Sequence, residues 1–147
     1  MSDCIFCKIV SGEVPASTVY EDAHTIAFMD LGQVNPGHVI VAVKPHVENI
    51  YGLDDALAAA VFRTASRVAR AVKASMQAEG MTLLQANEPA GWQTVFHFHL
   101  HVVPRYGGDG LTFTWPVKRP PQQELDRLAQ QVRQGLIKVA EPPRGGR

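Results

Sequence analysis

The sequence lacks the features that mark several large protein classes. Its 147 residues include only two cysteines, Cys4 and Cys7, so a disulfide framework is excluded. Fourteen basic and fourteen acidic residues cancel, and overall charge therefore provides no attraction to nucleic acid or to an anionic membrane surface. The first residues have neither the basic nor the apolar region of a signal peptide, and no apolar run is long enough to span a membrane. These absences predict a soluble, cytoplasmic protein that holds any anionic ligand in a local site.

The length predicts one domain. A chain of 147 residues with 46% hydrophobic residues can bury one core and is too short for two comfortable ones. No linker or repeat divides the chain, so we predict a single domain over residues 1–140. The Pro- and Gly-containing segment 141–147 is typical of a flexible C-terminal tail.

Short β-rich runs separated by turn residues predict an antiparallel sheet. The predicted strands lie at 18–21, 25–29, 38–43, 82–87 and along the segment that ends near 104. The sequence Asn35-Pro36-Gly37 is a strong turn signal before the third run. The pattern therefore predicts an α+β fold, with an antiparallel sheet of about five strands, one long helix packed on it and a shorter C-terminal helix.

Apolar residues at helical spacing predict the two helices. The long helix covers 53–79, with Gly80 just past its C-terminus. The shorter helix follows Pro120-Pro121. Its expected buried face consists of Leu125, Leu128, Ala129, Val132 and Leu136.

Three histidines alternate with apolar residues in the last predicted strand. Because side chains on a strand point alternately to its two faces, His97, His99 and His101 are expected to share one face. This row fits an exposed polar face, a metal site or a catalytic site, since imidazole can act as acid, base, nucleophile or metal ligand. Just upstream, Gln93 and Thr94 supply neutral donors for phosphate oxygens. The combination favours phosphoryl transfer with a histidine nucleophile.

The two cysteines form a Cys-x-x-Cys motif at the start of the chain. In a reducing compartment such a motif is half of a zinc site or a redox pair, and the cysteines could also be small buried apolar residues. The βαβ context of a redox pair is not evident, which favours zinc. Two further ligands would then come from histidines.

With these motifs the chain resembles the histidine triad (HIT) family of nucleotide hydrolases and transferases. The signature is His97-Phe98-His99-Leu100-His101-Val102-Val103, preceded by Gln-Thr-Val. The resemblance runs from Cys4 to about Arg105 and includes Phe28-Met29-Asp30, Gly37-His38-Val39 and Asn87.

The resemblance implies a role for each matching residue. It makes His99 the nucleophile that attacks the α-phosphorus of a nucleotide. The other implied roles are phosphate binding by His101, Gln93 and Thr94, a hydrogen-bonded histidine network of His38 and His97, ribose contacts by Asp30 and Asn87, and a base sandwich of Ile5, Phe6, Ile9 and Phe28. Plain core packing is an equally good interpretation for Ile9 and Phe28.

The resemblance also implies a structural zinc ion, because bacterial relatives with the N-terminal motif bind zinc. The matching ligands here are Cys4, Cys7, His46 and His97. A closed site of this kind would stiffen the N-terminus and give His97 a structural role, and no metal is expected for the chemistry.

One position departs from the family pattern. A glycine commonly precedes the glutamine, whereas this chain has Trp92 before Gln93. If a positive φ were needed there, tryptophan would be disfavoured, so the loop is expected to run differently.

The resemblance therefore implies a hydrolase of nucleoside phosphoramidates or related phosphate esters. It would act through a nucleotidyl-His99 intermediate, release a nucleoside monophosphate such as AMP, and form a homodimer. Two alternatives are a non-catalytic nucleotide sensor and a metalloenzyme that uses the histidines as ligands.

Overall fold

A computed structural model gives the structure of residues 3–139. The helices are α1 (Ile5–Val10), α2 (Asp55–Met76) and α3 (Gln122–Lys138), and the strands are β1 (Thr18–Glu21), β2 (Thr25–Met29), β3 (Val39–Val43), β4 (Gly80–Leu84) and β5 (His99–Arg105). The five strands form one antiparallel sheet in the order β1-β2-β3-β5-β4. The predicted α+β fold is confirmed. The predicted tail, 141–147, lies outside the described residues.

Pairing between β3 and β5 determines which face of the sheet carries the histidines. In this register Ile40 lies opposite His101, and Ala42 lies opposite His99. Ile40 and Ala42 belong to a core cluster with Phe6 of α1. The opposite face packs against α2 through a second cluster, which includes Val39, Val41, Leu100, Val102, Val61, Ala65, Val68 and Val72. The sheet therefore separates the α2 core from the face that bears His99 and His101.

The long helix is shorter than predicted. Asp54 caps its first turn by accepting a hydrogen bond from the Leu57 N–H at 2.8 Å. At the other end Gln77, with φ of 51°, takes the left-handed conformation that ends the helix. Gly80 is therefore the first residue of β4 and not the helix-terminating glycine that the sequence suggested.

The β2–β3 loop packs tightly against the end of α2. Gly37 has φ of 100°, and a Cβ atom there would lie 2.6 Å from Cγ of Met76. Only glycine meets both the positive φ and this close approach. This packing fixes the loop that connects Asp30 to His38 at the histidine-bearing face of the sheet.

The predicted buried face of α3 is wrong. No residue of α3 is buried, and Leu125, Leu128, Val132 and Leu136 are 40–65% exposed. Apolar periodicity identifies one face of a helix but does not say what covers it. None of the helices within residues 3–139 is long and apolar enough to cross a membrane.

Candidate active site and metal site

His99 is held with one ring nitrogen available to a ligand. Its Nδ1 lies 2.6 Å from the carbonyl oxygen of His97. A carbonyl oxygen only accepts, so Nδ1 carries the proton and Nε2 keeps its lone pair. His99 is buried, and this burial lowers the pKa of the imidazole below its ordinary value. His99 is therefore neutral at pH 7 and presents an unprotonated nitrogen, as a nucleophile requires.

His101 is the opposite tautomer from His99, because its Nδ1 accepts a hydrogen bond from His38. The Val34 N–H donates to Nδ1 of His38 at 3.3 Å, so Nε2 of His38 carries the proton. That N–H donates to Nδ1 of His101 at 2.9 Å, and Nε2 of His101 therefore carries its own proton. A carboxylate oxygen of Asp30 lies 3.4 Å from Nε2 of His38. We call this hydrogen-bonded series, from the Val34 N–H through His38 to His101, the relay.

The relay is neutral at pH 7. Burial is the main cause that lowers the pKa of His101 to about 4, and the neighbouring His99 and His38 add to it. Burial also lowers the pKa of His38, against the opposite effects of Asp30 and of the Gly32 backbone. His101 can thus act as a hydrogen-bond donor without carrying a permanent charge.

A cavity of about 310 Å³ lies in front of His99 and His101. This size suits a small-molecule ligand. The predicted site residues that line it are Ile5, Phe6, Ile9, Phe28, Asp30, Thr94, His99 and His101. Its apolar wall comes from α1 and β2, and its polar end comes from Asp30 and the two histidines.

Phe6 connects the apolar wall to the histidines. Its ring centroid lies 5.0 Å from that of His99 and 5.3 Å from that of Phe28, both edge to face. Phe6 and Phe28 are 5% and 3% exposed. Both rings therefore belong to the core and to the cavity wall at once, so the two interpretations of Phe28 are compatible.

A larger cleft of about 600 Å³ lies elsewhere, lined by residues that include His24, His46 and Asp54. It contains no member of the histidine triad. Its greater volume does not make it the better candidate, because it lacks the oriented imidazoles.

Two predicted ligand contacts lie away from the cavity. The side-chain oxygen of Gln93 accepts from the Glu88 N–H at 2.7 Å, and its NH₂ group donates to the Glu48 carbonyl at 2.6 Å. Asn87 is bonded to Gln85 and to the Ile50 N–H. Neither residue lines the cavity. Both amides hold backbone segments together in this structure.

Trp92 adopts the left-handed conformation that is unfavourable for tryptophan. Its φ is 72°, in the left-handed region, and its side chain is 71% exposed. The position does take a positive φ, and this chain accommodates tryptophan where glycine would be less strained. Nearby contacts, including those of Gln93, hold the loop despite this strain.

The four predicted zinc ligands lie together. Nδ1 of His97 is 3.4 Å from Sγ of Cys4 and 3.6 Å from Sγ of Cys7, and Nδ1 of His46 is 3.3 Å from Sγ of Cys7. All four ligand atoms lie within 4.8 Å of one another. Zinc bonds of about 2.0–2.3 Å in a tetrahedron place ligand atoms about 3.3–3.8 Å apart. The residues therefore fit a Cys₂His₂ zinc ion.

The remaining nitrogen of His97 supports this assignment. Its Nε2 lies 2.7 Å from the Val43 carbonyl oxygen, so Nε2 carries the proton and Nδ1 faces the sulfurs as a lone pair. Such a bond orients a metal-binding histidine. Without metal, burial and the adjacent Cys4 raise the pKa of the Cys7 thiol, whereas a zinc ion would favour the thiolate.

A second cluster, Asp30, His38 and His101, also brings three ligand atoms within 4.8 Å. The tautomer of His38 leaves no lone pair for a metal at this cluster. The Val34 N–H forces the proton of His38 onto Nε2, the atom that faces the other two residues. His38 and His101 are therefore joined by a hydrogen bond of the relay, which disfavours the histidine metalloenzyme interpretation.

Comparison with known proteins decides the family. The family model described as HIT domain matches residues 11–108. The chain belongs to the HIT domain family. A "Protein hit" from Bacillus subtilis is 44% identical over 114 residues, covering 77% of this chain and 79% of its own. The "Adenosine 5'-monophosphoramidase HNT1" of Candida albicans is 28% identical and covers 94% of both chains.

A solved HIT structure bears on the metal. It is the crystal structure of a zinc-bound histidine triad family protein from Mycobacterium smegmatis. This HIT protein is similar to it with a TM-score of 0.73 and 34% identity, over 94% of this chain and 98% of the other. Zinc is therefore known in a protein of the same fold.

Sequence reasoning missed two residues of the HIT site. Val34 acts through its backbone N–H, and Gln33 through a side chain that bonds only to backbone atoms. Neither residue type signals chemistry. The available signal was the short loop between two site residues, Asp30 and His38, whose conformation must determine how they face each other.

Proposed function

We propose that this HIT protein hydrolyses nucleoside phosphoramidates or related nucleoside phosphate esters through a covalent nucleotidyl-His99. The released product would be a nucleoside monophosphate, for which we propose AMP. The observation that carries the proposal is the 2.6 Å hydrogen bond from Nδ1–H of His99 to the His97 carbonyl, because it leaves Nε2 as a nucleophile. The relative named as an adenosine 5'-monophosphoramidase supports this substrate class.

In the first half of the reaction, Nε2 of His99 attacks the α-phosphorus. A P–N bond to His99 forms, and the bond from phosphorus to the leaving nitrogen or oxygen breaks. The leaving atom takes a proton from Nε2 of His101, while the His38 proton is shared across the 2.9 Å hydrogen bond. Loss of this proton leaves one negative charge on the relay, shared between His38 and His101. The positive charge gained by the His99 ring, whose centroid lies 5.0 Å from that of His101, offsets it.

In the second half, water attacks the same phosphorus on the opposite side from His99. The P–N bond to His99 breaks and its electron pair returns to Nε2. The water gives one proton back to the relay, so that His38, His99 and His101 recover their starting states. Two displacements at phosphorus predict overall retention of configuration.

The cavity provides a place for each part of such a substrate. The apolar wall of Ile5, Phe6 and Ile9 would hold the base, and the Asp30 carboxylate would accept hydrogen bonds from the ribose hydroxyls. Thr94 lines the same cavity as the two histidines, and its hydroxyl would donate to a phosphate oxygen there. Gln93 would support this loop and not contact the phosphate itself.

We also propose that zinc is bound by Cys4, Cys7, His46 and His97. With all four positions taken by protein, the ion would supply structural stability. The chain's own residues do the rest: α1 forms the cavity wall, and the His97 carbonyl orients His99. The proposed reaction has no step that passes through the metal.

The homodimer expected from the family remains a prediction. The exposed apolar residues of α3, including Leu128 and Val132, are consistent with a partner surface. Sedimentation equilibrium of wild type and of a Leu128→Gln/Val132→Gln variant would test it. A monomeric wild type at micromolar concentration would refute the prediction.

The function is tested with an adenosine 5'-phosphoramidate and purified protein. Wild type should release AMP, and a quenched reaction should show an acid-labile nucleotidyl mass on the peptide that contains His99. His99→Ala should lose turnover while keeping AMP binding. His24→Ala, a histidine outside this cavity, is the matched control and should keep turnover.

The alternatives give different results in the same experiment. AMP binding without turnover by wild type would favour a nucleotide sensor. Inversion at a chiral phosphorus would mean direct attack by water and would exclude the covalent intermediate. A metal ion that stays bound to a Cys4→Ser/Cys7→Ser variant and is needed for its turnover would favour a metalloenzyme.

A further inference from the structure

The side chain of Gln33 closes the loop between Asp30 and His38. Its Nε2 donates to the Asp30 carbonyl at 2.5 Å and to the His38 carbonyl at 2.8 Å. Its Oε1 accepts from the N–H groups of Gly37 at 2.8 Å and His38 at 3.1 Å. Two donated and two accepted bonds use the whole hydrogen-bonding capacity of a carboxamide. One side chain therefore ties together both ends of the loop.

This closure determines where the next peptide group points. The peptide between Gln33 and Val34 carries the N–H that donates to Nδ1 of His38 at 3.3 Å. That bond is the reason why His38 donates from Nε2 to His101. If the loop relaxed, His38 could move its proton to Nδ1. His101 would then have to donate from its own Nδ1, and its Nε2 would face the cavity without a proton.

We propose that Gln33 is a positioning residue for the relay, which keeps Nε2–H of His101 directed at the leaving group. The inference rests on the proposed function, because only a leaving group that needs a proton makes this orientation matter. It assigns to Gln33 a role in the choice of substrate: Gln33 is needed for substrates with basic leaving groups. Acidic leaving groups depart without protonation and do not need it.

The leaving group therefore separates a positioning role from a merely structural one. Two adenosine 5'-phosphate derivatives serve as probes, one with an alkylamine and one with p-nitrophenol as leaving group. Gln33→Met removes all four hydrogen bonds at nearly constant volume. A correctly placed general acid contributes about 10²–10⁴-fold. Because both substrates share the second half of the reaction, the comparison uses kcat/KM, which includes steps only up to leaving-group departure. We expect kcat/KM for the alkylamine substrate to fall by roughly 10-fold or more, with kcat/KM for p-nitrophenol release changed by less than about 3-fold.

The matched control is Gln123→Met, at an exposed glutamine on α3. It should leave kcat/KM for both substrates unchanged. Equal losses of kcat/KM for the two substrates in Gln33→Met would show a general structural effect and overturn the proposal. A wild type that is inactive on both substrates would overturn the proposed function, whereas a wild type that is active with unchanged selectivity in Gln33→Met would overturn only the role of Gln33.

A spectroscopic measurement tests the relay without any turnover and does not require the variant to fold well. The ¹⁵N chemical shifts of the histidine rings report which nitrogen carries the proton. Wild type should show His38 protonated at Nε2 and unprotonated at Nδ1. A wild-type His38 protonated at Nδ1 would overturn the proposal outright. In folded Gln33→Met the two tautomers should mix, and an unchanged tautomer would also contradict the inference.

Discussion

Removing zinc should weaken nucleotide binding, because one short helix serves both sites. α1 has six residues, well below the length of about 12–15 at which an isolated helix is marginally stable in water. Phe6 is its only buried residue. The helix carries Cys7 and follows Cys4, so the metal would fasten it to the sheet through His97. Three of its side chains, Ile5, Phe6 and Ile9, line the cavity.

The size of the effect follows from the apolar wall. If α1 leaves its place, a bound base loses an apolar contact comparable to one large buried side chain, about 1.5–3 kcal/mol. At 1.4 kcal/mol per tenfold, the Kd for AMP should rise about 10–150-fold. Coupling between two sites is reciprocal, so AMP should tighten zinc binding by the same factor.

Two titrations test this coupling. AMP binding is measured by calorimetry with zinc-loaded and chelator-treated protein, and zinc affinity is measured against a chromophoric chelator with and without AMP. A Cys4→Ser/Cys7→Ser variant should bind AMP as weakly as the stripped protein and should not respond to chelator. An AMP Kd that is the same before and after verified loss of zinc would refute the reasoning.

Three further predictions concern single residues. Trp92→Gly should raise the free energy of unfolding by up to about 1 kcal/mol. Glycine relieves a left-handed conformation that costs about 1–2 kcal/mol, and the greater entropy of the unfolded glycine chain cancels part of that gain. A clear loss of stability in urea unfolding would contradict this. Asp30→Ala should weaken ribonucleotide binding by about 1.5–3 kcal/mol, and equal Kd values of wild type for AMP and its 2′,3′-dideoxy analogue would contradict the ribose contact. The free energy of unfolding of the zinc-free protein should fall as the pH drops from 6.5 towards 4. The folded-state pKa of His101 is about 4 and that of His38 is also lowered, so in this range the unfolded chain binds more protons than the folded chain. The slope should be up to about 1.4 kcal/mol per pH unit per histidine, and His101→Asn should be less steep than wild type in urea unfolding.

The sheet and the pairing of Cys4 with Cys7 could be predicted from the residues because their signals are local, whereas His46 and His97 were assigned to the same cluster only through the family resemblance. Alternation predicted that His99 and His101 share one face, as they do in β5, and the Cys-x-x-Cys spacing marked two of the four residues of the Cys/His cluster. The tautomers could not be predicted, since they depend on which backbone atoms face each ring. The Val34 N–H and the His97 carbonyl become partners only after β2, β3 and β5 have assembled.

Two positions at which the structure uses a residue differently from its local preference share a physical reason as well. Gln93 has the chemistry of a phosphate donor, but the fold uses its amide to join two backbone segments. Gln77 ends α2 although Gly80 is the better residue for a left-handed conformation. In both cases tertiary contacts outweigh the local preference of a residue type, which is all that a sequence pattern reports.

The position of the cysteines in the chain has a consequence for the order of folding. Cys4 and His97 are separated by 93 residues, so the proposed zinc site closes the longest loop among the contacts of the site. Because non-local contacts form late, the sheet must bring His97 into place before Cys4 and Cys7 can share a zinc ion with it. The first helix of the chain would then be among the last elements to dock, and the cavity would remain open on that side until metal is captured. Refolding with zinc withheld should therefore yield a formed sheet whose N-terminal segment is still cut by protease.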